Sequence, residues 1–121
     1  MLTRGFLEEV KGVLEPQGVL AANTFSASRL YDHESVTYAA VYGRFYNLKG
    51  RNRVILLGKD GLPDAETLRR NAGRLQPRLA SAGIDPAWLL GLFDTRVDWN
   101  RDARVLTDGF SPSNLLNAGP P

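Results

Sequence analysis

The chain of 121 residues suits one domain with a real core, and its 43% hydrophobic and 23% charged residues are ordinary for a globular protein. It has no cysteine, which excludes disulfides, thiolate metal sites and cysteine nucleophiles. Its formal charge of +2 gives no argument for nucleic acid, and no apolar run approaches the roughly 20 residues of a membrane span. With no signal-peptide pattern at the amino terminus, we expect a cytoplasmic protein that has no membrane partner.

The first 24 residues predict a helix, a turn and a short strand. Apolar residues between positions 6 and 14 are spaced as one face of a helix, and Thr3 is suited to cap its start. Pro16 and Gly18 predict the turn. Residues 19–24 are apolar without alternation, which is typical of a strand covered on both faces in a parallel sheet.

The middle of the chain predicts a second helix and a β-hairpin. The helix is expected from about residue 29 to residue 42, and Gly43 is suited to end it. Two strand-like runs follow, at residues 45–48 and 53–57, joined by a polar turn that contains glycine.

The last third predicts mainly helices. Asp64 is suited to cap a helix over residues 65–82, in which Pro77 predicts a kink or a division into two consecutive helices. Residues 85–86, Asp-Pro, are a typical start for a short helix. Residues 95–99 alternate and favour a strand, and a last helical turn is expected at residues 111–116.

This element order is the order in which the Rossmann-like methyltransferase fold ends, with its last strand inserted antiparallel between two neighbours. A set of collinear segments carries a family resemblance, namely residues 3–11, 14–20, 23–26, 47–49, 52–55, 106–108, 111–112 and 114–116. With these segments the sequence resembles the polyamine aminopropyltransferases, the spermidine synthase family, along nearly its whole length. Two positions depart from the family pattern: Gln17 stands where a glycine is common, and Gly109 where a second acid is common.

The expected fold class is α/β. It consists of a partial Rossmann-like sheet of the class I methyltransferase type, with one parallel strand plus an antiparallel hairpin, flanked by helices. The resemblance implies that residues 1–117 are the C-terminal half of a spermidine synthase-like domain, and residues 118–121 are expected to be a disordered tail.

The resemblance also implies a reaction, the transfer of an aminopropyl group from decarboxylated S-adenosylmethionine to putrescine. In this family the cosubstrate is held by a glycine-rich loop and by an acid that closes the second strand, and a catalytic acid follows the fourth strand. The resemblance places all three before Met1, so none is assigned to a residue here. We expect no bound cofactor, no metal, and weak activity or none from this chain alone.

Candidate site residues must lie at the carboxyl ends of the strands, where such sheets bind ligands. Asn23, Thr24 and Ser26 meet this condition and are candidate substrate-binding residues. The alternative is that they form a turn and that Ser26 or Ser28 caps the next helix. Asp108 is the acidic candidate for catalysis, and its alternative role is an Asx-type turn.

Other polar residues give weaker signals. The single histidine, His33, is expected to be solvated or to cap a helix, and we expect no metal site among the acidic residues at positions 94–102. Basic residues interleaved with aromatics can bind single strands of nucleic acid. Cations on a hairpin more often block unwanted edge pairing, so nucleic acid is not expected. These cations are Arg44, Lys49, Arg51, Arg53 and Lys59.

Two alternative functions remain open. The chain could be a non-catalytic module whose exposed sheet edge pairs with another chain or with itself. It could also be a methyltransferase-like relative that uses another acceptor. The expected partners are therefore putrescine, and either further copies of the chain in a homo-oligomer or the missing N-terminal half.

Overall fold

The computed structural model describes residues 2–111. Most of the expected last helical turn and the whole of the expected tail lie outside these residues. None of the helices within residues 2–111 is long and apolar enough to cross a membrane. The helices are α1 (Arg4–Val13), α2 (Tyr31–Tyr42), α3 (Ala65–Ser81) and α4 (Pro86–Gly91), and the strands are β1 (Val19–Phe25), β2 (Tyr46–Lys49) and β3 (Asn52–Gly58).

The three strands form a sheet in the order β1-β3-β2. β3 pairs antiparallel with both neighbours, so β1 and β2 run in the same direction. In the register Ala22 lies opposite Ile55, and Asn47 lies opposite the same residue from the other side. This insertion of the last strand between two parallel ones confirms the expected partial Rossmann-like fold.

Helices α1 and α2 cover one face of the sheet. Ile55 and Leu57 of β3 have no exposed surface, and they form one core cluster with Leu7 of α1, Tyr42 of α2 and Phe45. Because side chains alternate along a strand, Leu20, Ala22 and Thr24 of β1 also lie on this covered face.

The opposite face of the sheet, which we call the open face, carries Val19, Ala21, Asn23 and Phe25 of β1. It shows that the expected burial of β1 on both faces is wrong. Exposure alternates along the strand: Val19 is 51% exposed and Phe25 is 64% exposed, while Thr24 is buried. The strand was expected to be covered on both faces. Within residues 2–111, α1 and α2 pack on the covered face while α3 packs chiefly against α4, so the open face of β1 stays in solvent.

The expected caps explain where three helices begin. Thr3 Oγ1 accepts a hydrogen bond from the amide of Phe6 (3.1 Å) at the start of α1. Asp64 and Asp85 accept backbone hydrogen bonds in the same way at the starts of α3 and α4. These side chains satisfy amide groups that the first helical turn leaves without a partner.

Helix α2 begins differently from the sequence prediction. Its N-cap is Leu30, and no side chain caps it. Ser28 Oγ accepts a hydrogen bond from the amide of Leu30 (3.0 Å), one residue too early to satisfy the first turn of the helix. The prediction that Ser26 or Ser28 caps α2 is therefore wrong.

Two further predictions from the last third need correction. Helix α3 continues through Pro77 as one helix, so its division into two helices is wrong. Residues 95–99 are not a strand. The carboxylate of Asp94 accepts a hydrogen bond from the amide of Arg96 (2.9 Å), which closes a local turn in place of a strand ladder.

Candidate functional site

The carboxyl end of β1 leads into a polar cluster on the covered face. Thr24 is buried, and its Oγ1 donates a hydrogen bond to Glu34 Oε1 (3.0 Å) in the first turn of α2. Thr24 also lies opposite Arg53 of the central strand. Thr24 therefore joins the end of β1 to the start of α2 and to the central strand β3.

Arg53 is the centre of this cluster and has no exposed surface. Its Nε donates to Asn47 Oδ1 (2.9 Å), its Nη2 donates to Ser35 Oγ (2.5 Å), and its guanidinium lies 3.8 Å from the centroid of the Tyr31 ring. Nη1 has no hydrogen-bond partner among the described residues. We call the following residues the Arg53 cluster: Thr24, Tyr31, Glu34, Ser35, Asn47, Lys49, Arg53 and Asp98.

The outer side of the cluster is organised by Asp98. Its Oδ1 accepts a hydrogen bond from the hydroxyl of Tyr31 (2.7 Å), and its Oδ2 accepts one from Lys49 Nζ (3.0 Å). Asn47 Nδ2 donates to the same Tyr31 hydroxyl (3.0 Å). Tyr31 thus joins the buried arginine to a carboxylate near the surface.

Burial has the largest effect on the pKa values of the inner pair of charged residues, Glu34 and Arg53. It raises the pKa of Glu34, although the hydrogen bond from Thr24 and the charge of Arg53 act in the opposite direction. Burial also lowers the pKa of Arg53, and the surrounding groups, Tyr31 and Glu34 first among them, only partly offset this. A buried arginine keeps its charge, so Glu34 faces a cation already present in the protein.

In the outer pair of charged residues, Asp98 and Lys49, each charge is compensated by the other. Burial alone would raise the pKa of Asp98, but hydrogen bonds from Tyr31 and Lys49 together with nearby positive charges hold it below the usual value. The hydrogen bond to Asp98 raises the pKa of Lys49 in turn. Two carboxylates and two cations therefore balance within the cluster. As it stands, this balance gives a diamine cation no uncompensated pair of carboxylates to bind.

The three candidate residues after β1 do not converge. Asn23 is exposed on the open face, because adjacent residues of a strand point to opposite sides of a sheet. Ser26 Oγ donates to the carbonyl of Gly50 (2.8 Å) in the hairpin turn. Of the three, only Thr24 belongs to the Arg53 cluster.

Asp108 lies in an exposed turn outside the cluster. The turn is closed by two hydrogen bonds between the backbones of Thr107 and Phe110, of 2.9 and 3.0 Å. The backbone places Asp108 in a turn, while its alternative role, an Asx-type turn made by its side chain, stays a prediction. A catalytic role stays a prediction.

His33 is neither free in solvent nor a cap. Its Nδ1 donates to the carbonyl of Arg104 (2.9 Å), and the centroids of its ring and of the Phe110 ring lie 5.4 Å apart in a T-shaped contact. The histidine therefore ties the start of α2 to the segment that carries Asp108.

The Arg53 cluster is what the sequence reasoning missed, because Arg53 was treated as a cation at a hairpin edge. β3 is the central strand, so that placement is wrong. A signal was present: Arg53, Ile55 and Leu57 share one period-two face, and a central strand buries that face. The hairpin cations also have separate partners, since Lys59 Nζ donates to the carbonyl of Leu14 and Arg44 donates to Thr95.

A cleft of about 560 Å³ opens elsewhere on the molecule. It is lined by Arg44, Tyr46, Pro63, Phe93 and other residues beside the hairpin, and none of the candidate site residues contributes to it. Within residues 2–111, no three side chains of the metal-binding types lie close enough together to hold an ion.

Comparison with known proteins decides the relationship. A curated polyamine aminopropyltransferase of Vibrio vulnificus (strain CMCP6) is 47% identical over 120 residues. The chain therefore resembles part of a polyamine aminopropyltransferase. The match covers 96% of this chain but only 40% of the Vibrio protein, so the resemblance to the spermidine synthase family is confirmed for that portion. No family model matches the chain, and no solved structure matches it.

Proposed function

We propose that this chain is the C-terminal part of a cytoplasmic, spermidine synthase-like aminopropyltransferase. The observation that carries the proposal is the 47% identity across 96% of the chain, supported by the strand order β1-β3-β2. The intact enzyme would transfer an aminopropyl group from decarboxylated S-adenosylmethionine to putrescine.

The chemistry of this transfer defines what the site must provide. The uncharged nitrogen of the amine attacks the carbon beside the sulfonium; a C–N bond forms, the C–S bond breaks, and its electron pair neutralises the sulfur. A base takes the proton that the nitrogen loses, and carboxylates hold the other amine as a cation. Alignment of nitrogen, carbon and sulfur supplies much of the rate.

This chain would contribute the scaffold on one side of that site. The Arg53 cluster fixes the corner between β1 and α2 at the carboxyl end of the strand, where sheets of this type bind ligands. Asn23, Thr24 and Ser26 are the proposed substrate-side residues, and Asp108 is the proposed acid. Because Glu34 and Asp98 already face cations, the carboxylates that bind putrescine would come mainly from outside residues 2–111.

Calorimetric titration with methylthioadenosine tests the proposal. We expect no micromolar binding to the isolated chain, and no spermidine above background from decarboxylated S-adenosylmethionine and putrescine. The intact Vibrio relative, treated identically, is the positive control. Micromolar binding to the isolated chain would contradict the view that it holds only part of the site.

A second candidate, a non-catalytic module that associates through its sheet edge, is favoured by one observation. The open face and the outer edge of β1 lie in solvent in the described part of the chain. Light scattering separates this candidate from the first, since a single species at 13.3 kDa across a wide concentration range would exclude self-association.

A further inference from the structure

In the described part of the chain, helix α3 carries a line of arginines that belong to no ion pair. Arg70, Arg74 and Arg78 are exposed and spaced four residues apart, so they lie along one side of the helix and span about 12 Å of its length. Arg70 donates to Thr67 Oγ1 (3.4 Å) and Arg74 donates to Asn71 Oδ1 (3.2 Å), both of which are uncharged. We call these three arginines the arginine row.

The positive charge of the chain is concentrated on this helix. Helix α3 contains a fourth arginine, Arg69, and one acid, Glu66, so its formal charge of +3 exceeds the +2 of the whole chain. Cations elsewhere within residues 2–111 form ion pairs, which join Arg4 to Glu8, Lys49 to Asp98 and Arg96 to Asp94. A basic stripe on one helix is the electrostatic signature of an anionic partner.

Neither packing nor helix stability accounts for the arginine row. Ala72 is the only buried residue of α3, so the row does not serve a core. Like charges four residues apart repel each other and destabilise a helix. Solubility is served by charges of both signs, whereas the arginine row has one sign only.

The residues beside the arginine row show which anionic partner fits. They are the exposed and small Gly73, Pro77 and Ser81, which have the same spacing of four residues. This side of α3 therefore lacks the large apolar and aromatic side chains that form the centre of a protein interface or that enter a membrane surface. Helix α3 has no aromatic residue on which the bases of a single strand would stack. What it offers is guanidinium groups, which bind phosphate through two parallel hydrogen bonds.

The shape of α3 favours double-stranded DNA among the phosphate polymers. With one buried residue, the helix is exposed around most of its circumference. The major groove of DNA is wide enough to admit an α-helix, and phosphates line both of its rims. The major groove of duplex RNA is deep and too narrow for side chains to enter.

We propose that the arginine row binds the phosphate backbone of double-stranded DNA without reading its sequence. Contacts with phosphates position a protein on DNA but carry no sequence information. The row is separate from the hairpin cations, for which no nucleic acid was expected: Arg53 is buried, while Arg44 and Lys59 have partners within the chain. Because α3 packs chiefly against α4, bound DNA would leave the sheet free, and the proposal does not depend on the proposed function.

The test is fluorescence anisotropy of a labelled DNA duplex of mixed sequence, titrated with the chain at several salt concentrations. We expect a Kd on the order of 10–100 μM at about 50 mM salt, the range of binding that depends on phosphates alone. The logarithm of the binding constant should fall with the logarithm of the salt concentration with a slope of about −2.7, because each neutralised phosphate contributes about −0.9. No binding at this salt concentration, or a slope shallower than about −1, would overturn the proposal.

Two double variants with the same loss of charge provide the control. Arg70→Gln/Arg74→Gln should weaken binding by about tenfold or more and make the salt slope shallower by about 2, because each phosphate contact contributes about 1. Arg51→Gln/Arg101→Gln removes two exposed arginines outside α3 and should change the Kd by less than about twofold. Equal losses of affinity in the two variants would contradict a site on α3.

A charge-preserving variant separates the charge of the row from the folding of α3. Arg70→Lys/Arg74→Lys should keep the salt slope of the wild type, and a slope as shallow as that of the glutamine variant would overturn the proposal. Single-stranded DNA, duplex RNA, phosphatidylserine vesicles and polyglutamate are tested as competitors at equal concentrations of negative charge. We expect duplex DNA to bind most tightly, and tighter binding to any of the four competitors would assign the row to that partner and overturn the proposal.

Discussion

Arg53 shows how one residue can hold a corner of the fold together. Taking a charge out of water costs several kcal/mol, and good geometry with opposite charges is needed to offset this. Here Asn47, Ser35 and the Tyr31 ring hold the guanidinium, while Glu34 and Asp98 supply the negative charge. Removing such a group leaves its partners buried and unsatisfied, which costs more than its presence contributes.

We expect Arg53→Met to lower the free energy of unfolding by about 3 kcal/mol, because it leaves Ser35 and Asn47 without their buried donor and Glu34 without the nearby positive charge. Arg51→Met is the control: Arg51 is exposed in the hairpin turn, and the change should stay within about 0.5 kcal/mol. Urea unfolding of the two variants and the wild type gives both numbers. Equal stabilities for the two variants would show that Arg53 is not structurally required.

Glu34 predicts a pH dependence of stability. Its folded-state pKa lies above the ordinary value of 4.5, so the folded protein binds this proton more tightly than the unfolded chain does. The contribution to stability is present below pH 4.5 and is lost as pH rises through the folded pKa. The stability of Glu34→Gln relative to wild type should therefore increase from pH 4 to pH 7, as measured by urea unfolding at each pH. A flat or falling difference would contradict a raised pKa.

Asp98 predicts the opposite trend. Its pKa lies below the ordinary value of 3.8, so its contribution to stability is present above that value and is lost as pH falls through the folded pKa. Wild type should lose stability relative to Asp98→Asn as pH is lowered from 5 to 3. Thermal unfolding across this range measures the trend, and a constant difference would argue against the contacts of Asp98 with Tyr31 and Lys49.

At the scale of elements, the ends of the helices follow local rules. Gly43 ends α2 with φ of +76° and ψ of −138°, a conformation that side chains rarely adopt, and its amide donates back to the carbonyl of Ala39. The sequence identified this residue because glycine alone adopts such angles without strain.

We expect Gly43→Ala to destabilise the protein by about 1–2 kcal/mol through backbone strain, although nothing lies within 4 Å of the added methyl. Gly73→Ala is its counterpart in the middle of α3, where a methyl also meets nothing within 4 Å. That change should stabilise by about 0.5–1 kcal/mol. Differential scanning calorimetry should show melting temperatures that move in opposite directions, and movement in the same direction would contradict the role of Gly43.

At the scale of the whole molecule, stability and solubility depend on different faces. The core lies between the covered face and helices α1 and α2, whereas Val19 and Phe25 on the open face contribute little to it. We expect the double variant Val19→Lys/Phe25→Lys to aggregate less at high concentration while its free energy of unfolding changes by no more than about 1 kcal/mol. Turbidity during a slow temperature ramp, with urea unfolding alongside, tests both points. Unchanged turbidity would show that another surface drives association.

The sequence by itself determined the features that depend on neighbours along the chain. The caps at Thr3, Asp64 and Asp85, the glycine at position 43 and the hairpin all follow from local hydrogen bonds and permitted backbone angles. The resemblance to the aminopropyltransferases also followed from the order of residues, and the Vibrio relative bears it out for two fifths of that protein's length.

Only the tertiary structure decided where Arg53 lies and which face of β1 is open. Both depend on strand order: placing β3 between its neighbours buries Arg53, while placing β1 at the edge leaves Val19 and Phe25 in solvent. The partners of Arg53 come from α2 and β2, and Asp98 reaches Lys49 across 49 residues of chain. Contacts over such separations form only when the sheet assembles, because no local pattern of residues specifies which strands become neighbours.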